Sequence, residues 1–368
     1  MSPVALSALL AAAAASGILA QTTYPSVAPL VDHTYSAYSD LPYKVIPTAG
    51  DIRGPQTGYS ICNSTTANQE SECQVSIVNT IDDFCLWSSP TPNNTIGDSE
   101  AYEVAWCTKD GHGTRVIPPG TLQGVQYLYT SQYIMIVGFL DQTKLNLLSN
   151  DSGGELDPHG ADLYGNPIGG LVWSNQYPTG NTNNASLTQI TEWTEFIGSG
   201  TFCIKICNPS VTSPDNVGLC QNVYDEIGIN YNCPSQPTNG TFEVCDADPM
   251  SPVGQYVSNG VTTTWTQPWS GVIDPPYTPT VPASSNCRTY ASSALYTDNA
   301  QAAPTTTSSG TSSTPAPTSG GSTGATRSSG TGSPSPTSGS SASGAPSATH
   351  ISLIAIIAGV AFTVLCMA

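Results

Sequence analysis

The chain has 368 residues, with 26 acidic and 8 basic side chains and a formal net charge of -18. Such a charge repels phosphate backbones and anionic lipid headgroups, which excludes nucleic-acid binding and electrostatic membrane docking. Charged residues make up only 9% of the sequence, so solubility must rest on hydroxyls, amides and attached glycans.

In chain order, residues 1–20 read as a signal peptide. Leu6 to Ala20 is an apolar, Ala-rich run that fits a signal-peptide core but is too short to span a bilayer. Cleavage after Ala20 would leave Gln21 at the new N-terminus. Residues 21–61 carry Pro25, Pro29, Pro42, Pro47 and Pro55, which predicts an extended arm lying on the following domain.

Residues 62–302 form the expected ectodomain, a single mainly β, disulfide-stapled domain with one short helix. Ser71-Glu72-Cys73-Gln74 has the form of a capping box, and Val75, Val78, Ile81 and Cys85 follow at near-helical spacing. The helix is therefore predicted over Glu72 to Phe84, although Val75, Ile77, Asn79 and Ile81 also fit strand alternation. Further on, strands are predicted at Tyr102–Cys107, Val125–Tyr129, Tyr133–Phe139, Leu145–Leu148, Thr188–Phe196, Thr201–Cys207 and Thr241–Cys245. The second and third read as a hairpin. In Thr201–Cys207, Cys203, Lys205 and Cys207 share one side and Ile204 and Ile206 the other.

From 303 to 349 the composition collapses to Ser, Thr, Gly, Pro and Ala, with Arg327 the only charge. A tract of this kind cannot offset its ordering entropy by burial, and its composition marks a disordered, O-glycosylated stalk. Residues 350–368 form an uncharged apolar tail preceded by small residues at Ser338 to Gly344 and a short polar spacer. These are the parts of a glycosylphosphatidylinositol (GPI) attachment signal, in which the tail is removed. The alternative, a transmembrane helix, lacks any Lys or Arg after the run to hold its end in the cytoplasm.

Cysteine usage agrees with export. Cys366 sits in the tail, which leaves ten: Cys62, Cys73, Cys85, Cys107, Cys203, Cys207, Cys220, Cys233, Cys245 and Cys287. An even number in an exported chain predicts up to five disulfides, with connectivity open. No C-x-x-C pair occurs, which argues against a zinc site. Asn63, Asn93, Asn150, Asn184 and Asn239 head N-glycosylation sequons and so predict surface loops.

Candidate chemistry concentrates in the loop containing Glu155, Asp157, His159 and Asp162. Glu155 and Asp157 would be the acid/base pair of a glycoside hydrolase. Alternatively, all four, with His112 brought near by folding, would ligate a divalent metal. The structural alternative is a Gly/Pro/Asp-rich loop whose carboxylates cap turns, and the sequence favours it, since no nucleophile elbow, H-E-x-x-H helix or P-loop is present. His112, between Gly111 and Gly113, reads as a turn leaving a strand, and Asp82-Asp83 as a surface or element-end pair. Trp265 and Trp269 offer either a platform for sugar rings or surface packing. The sequence assigns no catalytic residue, metal or cofactor.

Several segments resemble the secreted macrophage-activating glycoproteins of mushroom-forming fungi. They are Ile81-Asp-Asp-Phe-Cys85, Trp106-Cys-Thr-Lys-Asp-Gly-His-Gly-Thr-Arg115, Val137-Gly-Phe-Leu-Asp-Gln-Thr143, Gly154-Glu-Leu-Asp-Pro-His-Gly-Ala-Asp162, Gly165-Asn-Pro-Ile-Gly-Gly170 and Val281-Pro-Ala-Ser-Ser-Asn-Cys287. The likeness spans most of Cys62 to Cys287, implies no particular chemistry and brings no catalytic residues. Taken together, the expectation is a GPI-anchored glycoprotein of the fungal cell surface or wall with a structural or adhesive role. A surface lectin contacting wall or surface glycans is the alternative, and a hydrolase or metalloenzyme built on the 155–162 loop the third reading.

Overall fold

A computed structural model describes residues 27–48, 53–177, 186–211 and 217–296. The predicted signal peptide, stalk and apolar tail, and the sequon at Asn184, lie outside the described residues.

Two antiparallel-dominated sheets carry the fold. The first has β1 (Val75–Thr80), β2 (Asp83–Ser88), β3 (Val104–Cys107), β4 (Arg115–Val116), β8 (Leu171–Ser174) and β9 (Thr188–Ile190), in the order β4-β3-β2-β1-β8-β9. The second has β5 (Leu122–Tyr129), β6 (Tyr133–Leu140), β7 (Gly154–Leu156), β10 (Trp193–Gly198), β11 (Thr201–Cys207), β12 (Phe242–Ala247) and β15 (Ser284–Tyr290), in the order β15-β12-β5-β6-β11-β10-β7. A separate hairpin joins β13 (Gln255–Ser258) to β14 (Val261–Thr264). Two one-turn helices, α1 (Ile96–Ser99) and α2 (Ile229–Asn232), and four short 3-10 turns complete the regular elements among the described residues. The fold is thus mainly β.

Alternation along the strands builds two cores. On β11, Phe202, Ile204 and Ile206 face a large cluster shared with the first sheet, while Cys203 and Cys207 face a smaller one. The two sheets meet through ring contacts, Phe84 against Phe202 at 6.2 Å and Trp87 against Trp193 at 5.8 Å between centroids. Residues 217–270 supply the smaller cluster with Leu219, Tyr224, Met250, Val253 and Trp265, so the second sheet is covered on both faces.

Three sequence expectations are corrected. The segment 72–84 is not a helix: it holds β1 and the start of β2, joined by a tight connection. Every residue from Val75 to Asn79 is buried, and a strand covered on both faces loses the alternation that would have identified it. Leu145–Leu148 is not a strand but the end of a 3-10 turn (Gln142–Leu145) followed by Asn146 at φ 68°. Leu145 and Leu147 both point inward, which imitates a strand's period. Thr188–Phe196 is broken between β9 and β10, because the chain crosses from one sheet to the other there.

The 21–61 arm is also more than a surface wrap. Its described part contributes Leu30, Leu41, Val45 and Ile46 to the large core, and Gln56 is fully buried, its Oε1 accepting from the Val45 backbone N–H at 2.7 Å. Five disulfides join Cys62–Cys73, Cys85–Cys107, Cys203–Cys233, Cys207–Cys220 and Cys245–Cys287.

Candidate functional site

An open groove of about 1150 Å³ runs along the β7 edge of the second sheet. Its wall is acidic. Glu100, Glu155, Asp157, Asp225 and Glu226 line it, with Arg53 the basic residue among them and Trp269 at one side. A second concavity of about 580 Å³ lies over the β13–β14 hairpin and is lined by Tyr231, Tyr256 and Tyr277. Tyr256 stacks on Tyr277 at 5.2 Å, Tyr231 meets Tyr277 edge-on at 5.6 Å, and Tyr231 lines both concavities.

Glu155 sits on β7 opposite Phe196. Its Oε1 is shielded from solvent and has no hydrogen-bond partner among the described residues. Burial, then the charge of Asp157 and a hydrogen bond with it, push the Glu155 carboxyl well above its ordinary range. Glu100 moves the same way, by burial first and then through Asp157, Asp225 and Asp162, against the pull of Arg53.

The other predicted loop residues turn away to structural partners. Asp157 Oδ1 accepts the backbone N–H groups of His159 at 2.6 Å and Gly160 at 2.9 Å, an Asx-type turn. His159 pairs with Glu192 at 3.0 Å, and that hydrogen bond raises the imidazole pKa against the effect of burial. Asp162 is held by Arg53, which also donates to Asn166 and to the carbonyl of Gly165.

His112 is elsewhere, at the base of β2, bound to Asp83 at 2.6 Å. Burial alone would raise the Asp83 carboxyl, but the His112 hydrogen bond and charge more than offset it and leave it below its usual range. Gly111 and Gly113 both take left-handed backbone (φ 99° and 78°), and a Cβ on Gly113 would meet the Asn63 nitrogen at 2.2 Å. The glycines therefore serve a tight turn packed on the Cys62 segment. Asp82 accepts from Thr80 at 2.6 Å and is not paired with Asp83.

These placements overturn the metal reading of the loop, since its carboxylates and histidines are divided among separate partners. Among the described residues, one triplet of potential ligands converges, Glu243 with Cys245 and Cys287, and its two sulfurs are consumed by a disulfide. Glu155 and Asp157, the pair of the hydrolase reading, lie close enough for the Asp157 charge to help raise the Glu155 carboxyl.

The tryptophans divide. Trp265 packs on the smaller cluster, 6.1 Å from Tyr224, whose hydroxyl donates to its carbonyl. Trp269 is 99% exposed. Asn63, Asn93, Asn150 and Asn239 are all exposed. Sequence reasoning missed Arg53, Glu100 and Asp225 because they lie in segments far apart in the chain, none of which carries a recognisable motif. The sparsity of charge was the available signal, since in a chain that is 9% charged, five acids lining one groove stand out only after folding.

Two curated proteins of Mycosarcoma maydis are similar to this chain. Appressorium protein ROW1 is 39% identical over 233 residues, which cover 63% of this chain and 51% of that protein. Appressorium protein ROW2 is 38% identical over 251 residues, covering 67% of this chain and 81% of that protein. The chain thus spans about half the length of ROW1 and most of ROW2. No family model matches the chain, and no solved structure matches it significantly.

Proposed function

The chain belongs to the family of the fungal appressorium proteins ROW1 and ROW2, and from that premise we propose that it is a GPI-anchored glycoprotein of the fungal cell surface or wall with a structural or adhesive role. The observation that carries this reading is the complete pairing of ten cysteines into five disulfides, a state that persists in oxidising compartments. Four exposed sequon asparagines and the stalk and tail composition support it. The likeness to macrophage-activating glycoproteins is part of the same proposal and rests on the shared motifs. Phosphatidylinositol-specific phospholipase C should release the protein from intact membranes. Retention in the membrane pellet, with a control anchor cleaved in parallel, would refute the anchor.

A second reading, a carbohydrate-binding surface module, is favoured by one feature: Trp269 stands free beside the groove, next to a cavity lined by three tyrosines. Exposed aromatic faces beside polar walls suit sugar rings. Binding of the ectodomain to insoluble wall polysaccharide, compared with Trp269→Ala, tests it; equal retention of both proteins would count against the platform.

A further inference from the structure

The groove along β7 carries more acid than the fold neutralises. Glu100, Glu155, Asp157, Asp225 and Glu226 line it, and none of them stands in an ion pair among the described residues. Arg53, the basic residue of the lining, is already committed to Asp162, Asn166 and the Gly165 carbonyl. The acids share one field: burial first, then Asp157 and Asp225, raise the carboxyls of both Glu155 and Glu100. Glu155 Oε1 is shielded and has no hydrogen-bond partner, a cost that a donor brought by a ligand would remove. One metal ion does not suit this arrangement, because among the described residues no three of these carboxylates bring their oxygens within 4.8 Å of one another. The acids are spread instead through about 1150 Å³, above the roughly 300–1,000 Å³ of a site for one small molecule. Trp269, 99% exposed, adds an aromatic face to the same lining.

We propose that this groove binds a cationic amino-sugar polymer, a glucosamine chain whose amines are free rather than acetylated. The inference rests on the carbohydrate-binding reading above and names its ligand class. A neutral glucan would lie beside five acidic side chains and compensate none of them. A chain with one ammonium per ring matches acids that are spread rather than convergent. An indole face packs on a sugar ring and also attracts a cation, so Trp269 serves this polymer twice. Asn222 and Asn230, also in the lining, offer neutral donors and acceptors to the ring hydroxyls. A lysine-rich peptide would meet the same acids, but its charges sit on long flexible stems whose immobilisation costs entropy that a pyranose ring does not lose.

A chain of net charge -18 attracts any polycation, so the experiment must separate the groove from the whole surface. The secreted chain is titrated calorimetrically at about pH 5.5 and about 0.15 M salt with three probes of equal length. They are a glucosamine oligomer, its fully N-acetylated counterpart and oligolysine. The glucosamine oligomer should bind at least about tenfold more tightly than either of the others. Asp225→Asn with Glu226→Gln should weaken it about tenfold, roughly threefold for each exposed charge pair lost. Asp40→Asn with Asp82→Asn removes the same charge from exposed positions outside the groove and should change binding less than about twofold. All four positions bar burial, and an unchanged melting temperature confirms that each variant folds. Equal affinity for the acetylated oligomer would overturn the amine preference and leave the carbohydrate reading standing. Equal or tighter binding of oligolysine, or equal losses in the two double variants, would reduce the attraction to general charge and overturn the proposal. Binding to neither sugar would overturn the carbohydrate reading with it.

Discussion

Glu195, on β10 of the second sheet, accepts the backbone N–H of Trp87, on β2 of the first, with both carboxyl oxygens at 3.0 Å. This contact ties the two sheets in the middle of the large core. Glu103 lies near enough for its charge to act on Glu195, and its Oε1 accepts from Ser99 at 2.9 Å while its Oε2 has no partner among the described residues. Burial pushes both carboxyls up, Glu103 to about 8 and Glu195 well above its ordinary range. Two buried acids facing each other are tolerated only while protonated.

A pH dependence of stability follows. Both folded-state pKa values are raised above those of the unfolded chain, so the stabilisation is complete below about 4.5 and is lost as pH rises through the folded values. Between those limits each such acid should cost roughly 1.4 kcal/mol per pH unit. Melting temperature should therefore fall steadily from pH 5 to pH 8. Glu103→Gln keeps the shape and the Ser99 contact, and should flatten the profile. A wild-type profile already flat across that range would contradict a protonated pair.

The tryptophan pair makes a sharper contrast. Trp265 packs on the smaller cluster and on Tyr224, so Trp265→Ala should cost about 2–4 kcal/mol in urea unfolding. Trp269 touches solvent almost everywhere, so Trp269→Ala should leave stability within about 0.5 kcal/mol and change only retention on polysaccharide.

How far the sequence could be read depends on which residues are asked. The faces of Thr201–Cys207 were legible because apolar and cysteine positions alternate cleanly on a strand with a different core on each side. Glu195 was legible in principle, since Trp193, Glu195 and Ile197 share one strand face and a lone acid between two large apolar residues announces burial. The 72–84 segment misled because a strand buried on both faces has no polar side to set its period. The groove was not legible at all. Glu100, Glu155 and Asp225 come from segments far apart, and only sheet order brings them to one edge.

Arg53 anchors the loop whose acids invited functional readings. Its guanidinium holds both Asp162 oxygens, Asn166 and the Gly165 carbonyl from a partly buried position. Arg53→Ala should destabilise the fold by about 1–3 kcal/mol, with Asp162 left in a shielded site. Hydrogen exchange should rise first at residues 157–166. If protection there is unchanged, the cluster does not hold the loop.

The Cys245–Cys287 disulfide joins β12 to β15 at the edge of the second sheet and closes a loop with a sequence separation of 42. That loop contains the β13–β14 hairpin, Tyr256, Tyr277, Trp265 and Trp269, which is most of the aromatic surface described above. Removing the crosslink gives the unfolded chain back the freedom of a long loop, an effect of about 2–4 kcal/mol. Because the ladder between β12 and β15 remains, Cys245→Ala with Cys287→Ala should still fold at low temperature. The ordering of the aromatic loop, however, depends on both of its ends being fixed. The double variant should therefore lose polysaccharide retention at temperatures where circular dichroism still reports native β structure. Loss of both signals at one temperature would mean that the loop and the sheets melt as a single unit.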